Sequence, residues 1–340
     1  MWSSPPRDRR EQRRSPRPLS HTLDTGEQDP DRQEWRSVEF VHIVDEMPGD
    51  AAGEPLPLVI GLHGFLDAGN ATTLAVDHLA DQGNGPVVAT FDVDTFHDYR
   101  ARRPAISFVR DHYESYDPPR LNVRLMRDSL EHPYLLLTGP EPDTRWEGFA
   151  KAVREVVERL DVRLVASLGS VPMAVPHSRP VALTQHANRA ELMLRQNAWP
   201  GEIRVPASAQ ALLEVRLGET GHDMTGYVAH VPHYLAQFDF PQAAVVLLEG
   251  IEDSTGLSFD LDAIKVAAEE KNREIAAYLE DNPDVAQVVA GLEQQYDTFL
   301  RSEESGSSLL AEDGPLPTGD EIGEQVERFL AGLDGPDNQS

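Results

Sequence analysis

The chain has 340 residues, and its 30 basic against 58 acidic side chains give a formal net charge of −28. That balance excludes a nucleic-acid binder, whose basic face must displace counterions from phosphates, and the absence of cysteine excludes a disulfide scaffold, a thiolate metal centre and a cysteine nucleophile. Apolar residues, at 40%, are enough for a sizeable core; no apolar run approaches the roughly 18 to 20 residues of a membrane span, so a cytoplasmic protein with no membrane or nucleic-acid partner is expected.

Met1 to Pro18 carry six arginines and four prolines against two acids, with too few apolar side chains to offset the entropy of ordering. Residues 1–34 read as a disordered basic arm. Its pairs Arg9-Arg10 and Arg13-Arg14 lack the following apolar stretch of about 7 to 15 residues that an export signal requires. Residues 35–302 read as one α/β domain in which short apolar runs alternate with helical periods, the pattern of a largely parallel sheet covered by helices on both faces. Strands are expected at Val38 to Val44, Leu58 to Leu62, Val87 to Phe91, Leu121 to Met126, Tyr134 to Thr138, Leu164 to Leu168, Val181 to Thr184, Tyr227 to Val231 and Ala243 to Leu248. A helix is expected over Ala71 to Gln82, capped by Asp67 or Asn70. Trp146, Phe149, Val153, Val156 and Leu160 form one stripe on a second, about Arg145 to Asp161. Ile264, Ala268, Ile275 and Leu279 mark a third, about Leu261 to Glu280. Asn282-Pro283 then stops it and starts a fourth, striped by Val285, Val288, Leu292, Tyr296 and Phe299, so a C-terminal helical hairpin is expected. Residues 303–340 hold ten acids against one arginine and read as an acidic, mostly disordered tail, with one docking helix at Ile322, Val326, Phe329 and Leu330.

Leu58 to Asp67 lead from a strand into a His-Gly turn, like the oxyanion segment of α/β-hydrolases. The required Gly-x-Ser-x-Gly elbow is absent; the nearest stretch, Val165-Ala166-Ser167-Leu168-Gly169, has valine at the first position. No phosphate loop and no Gly-x-Gly-x-x-Gly occurs, and Gly83-Asn84-Gly85-Pro86 reads as a helix cap and turn. No cofactor is expected. His230 and His233 flank Pro232 in an extended segment, where residues three apart face opposite ways, so no metal site is expected either. Tyr99, Arg100, Arg102 and Arg103 concentrate guanidinium forks in an acidic molecule, for an anion, a partner or, chiefly, internal salt bridges.

Several segments, in their order, resemble the PAC2 family, named for proteasome assembly chaperone 2, and specifically its actinobacterial branch. They are Gly61-Leu62-His63-Gly64-Phe65-Leu66-Asp67-Ala68-Gly69, Phe91-Asp92-Val93-Asp94, Asp98 to Pro104, Val205 to Glu214, Gly221-His222-Asp223, Val228-Ala229-His230-Val231-Pro232-His233-Tyr234-Leu235 and Phe240-Pro241-Gln242-Ala243-Ala244. The resemblance covers about Val38 to Arg301. It implies a three-layer α/β/α sandwich similar to nucleoside phosphorylases, and a homo-oligomer such as a trimer. Chaperone members use a C-terminal hydrophobic-Tyr-x tripeptide to reach the proteasome, whereas this chain ends Asn338-Gln339-Ser340, which counts against proteasome docking.

Two functions follow from these features. The first is a noncatalytic assembly factor or scaffold, with Tyr99, Arg102, Arg103, His230, His233 and Tyr234 packing or meeting a partner. The second is an enzyme for a nucleoside- or anion-type small molecule in a cleft at the strand ends. Its lining would be His63 as acid/base with Asp67, beside Gly64, Asn70 and Arg100 as ligand contacts and anion anchor. A filled strand end favours the first, and converging polar groups in a dry cleft the second.

Overall fold

The computed structural model describes residues 35–48, 51, 53–83, 85–195 and 202–304. The basic arm, the acidic tail beyond Glu304 and its docking helix lie outside the described residues. Nine strands form one sheet in the order β1-β2-β4-β7-β8-β3-β9-β11-β10. They are β1 (Trp35–Val38), β2 (Val41–Val44), β3 (Leu56–His63), β4 (Val87–Phe91), β7 (Asn122–Arg127), β8 (Pro133–Pro140), β9 (Val162–Met173), β10 (Leu183–Ala187) and β11 (Met224–Pro232). The central strands β8, β3, β9 and β11 pair in parallel and the flanking pairs are antiparallel, so β1, β3, β4, β8, β9 and β11 run one way and β2, β7 and β10 the other. A separate two-stranded ribbon, β5 (Ser107–Val109) with β6 (His112–Glu114), leaves the body between β4 and β7.

Alternation along the strands builds a core on each face. Leu58, Ile60, Leu62, Leu135 and Leu137 pack under α3 (Trp146–Arg159) and α4 (Ala209–Glu219), against Phe149, Val153, Val156, Leu213 and Leu217. Val59, Leu136, Ala166, Leu168 and Tyr227 face α1 (Ala71–Gln82) and α5 (Pro241–Thr255), with α6 (Asp262–Asp281) outside α5. The result is the expected α/β/α sandwich. The short α2 (Val93–Phe96) follows β4. Gly61 is needed where β3 meets α1, because a Cβ there would stand 2.1 Å from Val76 Cγ1. α7 (Pro283–Glu304) follows α6 across Asn282 and returns to the loop after β9.

Two expected strands differ. Ala243 to Leu248 is helical within α5. Its apolar run has no period-2 signal, Pro241 holds the first helical position and Gly256, at φ 75°, ends it; Ala244, Leu247, Leu248 and Ile251 recur at helical spacing on the buried face, while Gln242, Glu249 and Asp253 mark the outer one. Val38 to Val44 is a hairpin instead of one strand. Phe40 turns at φ 72° and sends its ring against Phe96, with centroids 5.7 Å apart. Among the described residues no helix is long and apolar enough to cross a membrane.

Candidate functional site

The carboxyl ends of the parallel strands β8, β3, β9 and β11 open on one edge of the sheet, where α/β folds place their ligands. Two different structures occupy that edge.

Over β3 and β8 the edge is closed by the chain itself. Glu141, just past β8, donates its amide to the His63 carbonyl at 2.9 Å. Its carboxylate accepts from the Phe65 amide at 3.0 Å and the Ala209 amide at 2.8 Å, tying the loop after β3 to the start of α4. Gly64 permits this approach, since a Cβ there would lie 2.4 Å from Glu141 Oε2. Gln210 is buried between the strands, accepting from the Leu62 amide at 3.2 Å and donating to the Leu168 carbonyl at 2.9 Å. Asp67 caps α1, accepting from the amides of Thr72 and Thr73. The Ser170 hydroxyl donates to the Ala68 carbonyl at 2.8 Å, and its amide to that of Leu66. Apart from the buried His63 Nε2, the polar groups named at this edge are therefore engaged internally.

The residues read from the sequence as a cleft lining are placed separately. His63 ends β3, and its Nε2 is buried without a hydrogen-bond partner. Asn70 donates to Asp239 at 2.6 Å, while Arg100 is exposed in the turn after α2 with no side-chain partner among the described residues. These residues line none of the grooves described below. Among the described residues only Arg102 of the arginine cluster forms an internal bridge, 2.7 Å from Asp143, and the exposed Arg103 meets no partner there. Tyr99 donates to Asp94, and this bond, more than burial, pushes its phenol up to about 12. His230 lies in β11 at 2.8 Å from the Thr184 hydroxyl, and burial pushes its imidazole down.

Beyond β9 and β11 the edge is open. A groove of about 650 Å³ runs between residues 177–181 and helices α5 and α6, lined by His177, Arg179, Gln242, Val245, Lys265 and Asn272 among others. At one wall the Tyr234 hydroxyl accepts from the His177 amide at 2.9 Å and lies 2.8 Å from His177 Nδ1. The hydroxyl has one proton and two lone pairs, so it can donate to Nδ1 or accept from it according to the ring tautomer. Burial pushes the His177 imidazole down and the Tyr234 phenol up. His233 is exposed, with its ring edge-on to Tyr234. On the outer wall Arg179 forks onto Asp297 of α7 through two bonds of 2.8 Å, and Ser178 donates to Glu293. The structure thus brings together His233 and Tyr234 from the sequence reading with His177 and Arg179, which it missed. The signal for those two was Pro176-His177-Ser178-Arg179-Pro180, charged and aromatic groups bracketed by prolines just after a central strand. Among the described residues no His, Asp or Glu cluster is arranged to hold a metal ion.

The PAC2 family model matches residues 61–279. In solved structures the chain is similar to a Mycobacterium tuberculosis protein of unknown function, Rv2714, at 42% identity and TM-score 0.73, over 78% of this chain and 94% of that one. It is similar to a Corynebacterium glutamicum protein of unknown function at 34% identity and TM-score 0.72, over 77% and 98%. It is also similar to a Mycobacterium tuberculosis proteasome-assembly chaperone homologue, Rv2125, at 26% identity and TM-score 0.61, over 69% and 100%. No curated protein sequence matches the chain.

Proposed function

Because the chain belongs to the PAC2 family, we propose that it is a noncatalytic, homo-oligomeric assembly factor or scaffold of the cytoplasm, related in role to the proteasome-assembly chaperone homologue it resembles. One observation carries this reading: the strand ends over β3 and β8 are filled by Glu141, Gln210, Asp67 and Ser170, which bond to the chain's own backbone. A catalytic crevice keeps such groups free for substrate and transition state. Here they fix loop 64–70 as part of the frame, leaving exposed groups such as Arg100, Arg103 and His233 for contacts between proteins.

The open groove beside His177 and Tyr234 favours a second reading, a site for a nucleoside- or anion-type molecule with Arg179 and Lys265 at its rim. One experiment separates the two. Thermal unfolding of the full chain is followed against nucleosides, nucleotides, phosphate, sugar phosphates and amino acids, alongside its sedimentation mass. A ligand at 100 times its Kd adds about 2.7 kcal/mol, or roughly 5 to 10 °C. The scaffold reading expects an oligomer and no such shift. A shift of that size, abolished in His177→Ala, would instead establish a small-molecule site.

A further inference from the structure

The loops over the filled strand ends carry an apolar surface that the reading above does not use. Phe65 is 60% exposed and Phe238 62%. They stand on adjoining loops, since the Gly69 amide donates to the Ala236 carbonyl at 2.8 Å and the Phe240 amide to the Gly69 carbonyl at 2.9 Å. Met173, exposed at the end of β9, lies opposite Pro232, where the chain turns toward Phe238. Beside Phe65 the surface has a basic flank. The Phe65 amide and the Arg102 guanidinium both donate to Glu141, and the Asp98 amide donates to Asp143 at 2.7 Å, so the turn 98–103 borders the Phe65 loop. Arg100 and Arg103 on that turn are exposed and meet no carboxylate among the described residues. Exposed apolar side chains rimmed by charge mark a contact surface.

Charge and chain length point to its occupant. Of the two ends outside the described residues, the basic arm would set arginine against arginine and holds few apolar side chains. The acidic tail is complementary. Ile322, Val326, Phe329, Leu330 and Leu333 recur at helical spacing on one face, with Glu321 and Glu327 on its two flanks and Glu324 opposite. α7 is fastened to the loop after β9 by Asp297 on Arg179 and by the Tyr296 hydroxyl, which donates to the Pro180 carbonyl at 3.4 Å, and it ends seven residues later at Glu304. Eighteen residues lead from Glu304 to Ile322, a reach of up to about 60 Å. That is ample to cross the edge at which Met173, Phe238 and Phe65 stand.

We propose that residues 318–333 dock on the Phe65 and Phe238 surface of their own chain, the apolar stripe over the two aromatics and the flanking glutamates toward Arg100 and Arg103. The tail then competes with any protein that would contact this surface. Such self-occlusion goes beyond the scaffold reading and does not depend on it. A tether of this length gives an effective concentration of about 1 mM, so a contact with a Kd of about 100 µM between separate molecules would be closed about 10 to 1.

The test is hydrogen exchange of the full chain, followed by mass spectrometry at about 1 and 100 µM. In the wild type, residues 318–333 are expected to exchange about 10-fold more slowly than in Phe65→Ser with Phe238→Ser. Val326→Ser with Phe329→Ser should release the same protection and quicken the loops 64–70 and 236–240. Arg100→Glu with Arg103→Glu should also weaken it, as should raised salt, and adding Glu321→Arg with Glu327→Arg should recover part of the loss. The substituted groups on the body are exposed, so the thermal midpoint should stay within a degree or two; if the phenylalanine pair nonetheless unfolds the body, the tail pair reads the same contact through the loops. Equal exchange of 318–333 in the wild type and both apolar variants, or loops indifferent to the tail pair, would overturn the docking and leave the scaffold reading standing. Protection present at 100 µM and lost at 1 µM would overturn docking on the same chain and assign the segment to a second copy. The scaffold reading fails on different readouts, a monomeric mass or a ligand-induced thermal shift, and neither touches the tail contact.

Discussion

Gly64→Ala tests whether the seal over β3 and β8 is a packed joint. The new methyl would lie 2.4 Å from Glu141 Oε2 and 2.6 Å from its Cβ, and the carboxylate cannot swing away without releasing the amides of Phe65 and Ala209. Overpacking of this kind costs about 1 to 3 kcal/mol. Glu141→Gly removes the obstructing atoms but orphans the Ala209 amide, which is buried; with the added backbone entropy of glycine, the loss is about 2 to 3 kcal/mol. At about 2 to 4 °C per kcal/mol for a domain this large, Gly64→Ala should lower Tm by roughly 2 to 12 °C and Glu141→Gly by roughly 4 to 12 °C in calorimetry at pH 7. The double variant should fall short of the sum by about 1 kcal/mol or more, because the clash has lost its partner. Additivity within about 0.5 kcal/mol would refute a direct contact between the two positions.

Asp128 supplies an acid-sensitive joint. Burial alone would raise its carboxyl, but amides of Ser258, His132 and Leu130 and the His132 ring outweigh it and hold the group below the usual range. Its contribution is therefore full above the unfolded value of about 3.9 and fades as pH falls through the lower folded value; Asp128→Asn should lower Tm at pH 7 and flatten the acid limb of a stability profile below pH 4. In absorbance titration at 295 nm, Tyr99 should ionise near 12, and Asp94→Asn should bring it earlier. Nitrogen-detected NMR should find His177 mostly neutral at pH 6.5, because burial lowers its imidazole, and Tyr234→Phe should alter its Nδ1 shift; a charged ring at that pH would refute the reasoning. Asp297→Asn breaks an exposed pair worth little to global stability, so Tm should hold while hydrogen exchange over residues 283–304 quickens.

Elements whose pattern contrasts one face with another were legible in the sequence. α1 begins and ends at the expected residues, Ala71 and Gln82, because Asp67 marks its start, and α3 follows its Phe149-Val153-Val156 stripe. Ala243 to Leu248 was misread because all six of those side chains are apolar, and the polar outer face of the helix shows only over the longer span from Gln242 through Glu249 to Asp253. The β5–β6 ribbon escaped because its residues pack on no core and show no buried face. At the candidate site, His233 and Tyr234 were found through a local motif. Glu141 was not, since the amides that define its role lie 76 and 68 positions away and leave no local trace.

The rims of the sheet set a limit on how this protein can associate. Among the described residues β1 has four residues and β10 five, and each pairs antiparallel with one neighbour. The edge at β1 also carries Arg36, bridged to Asp45. Short, charged rims give an incoming strand few backbone groups in register to template upon. Copies brought together at high concentration have little means of continuing one another's sheet, so growth into a fibre by edge addition is blocked at both sides while discrete, side-chain-mediated complexes remain open to it.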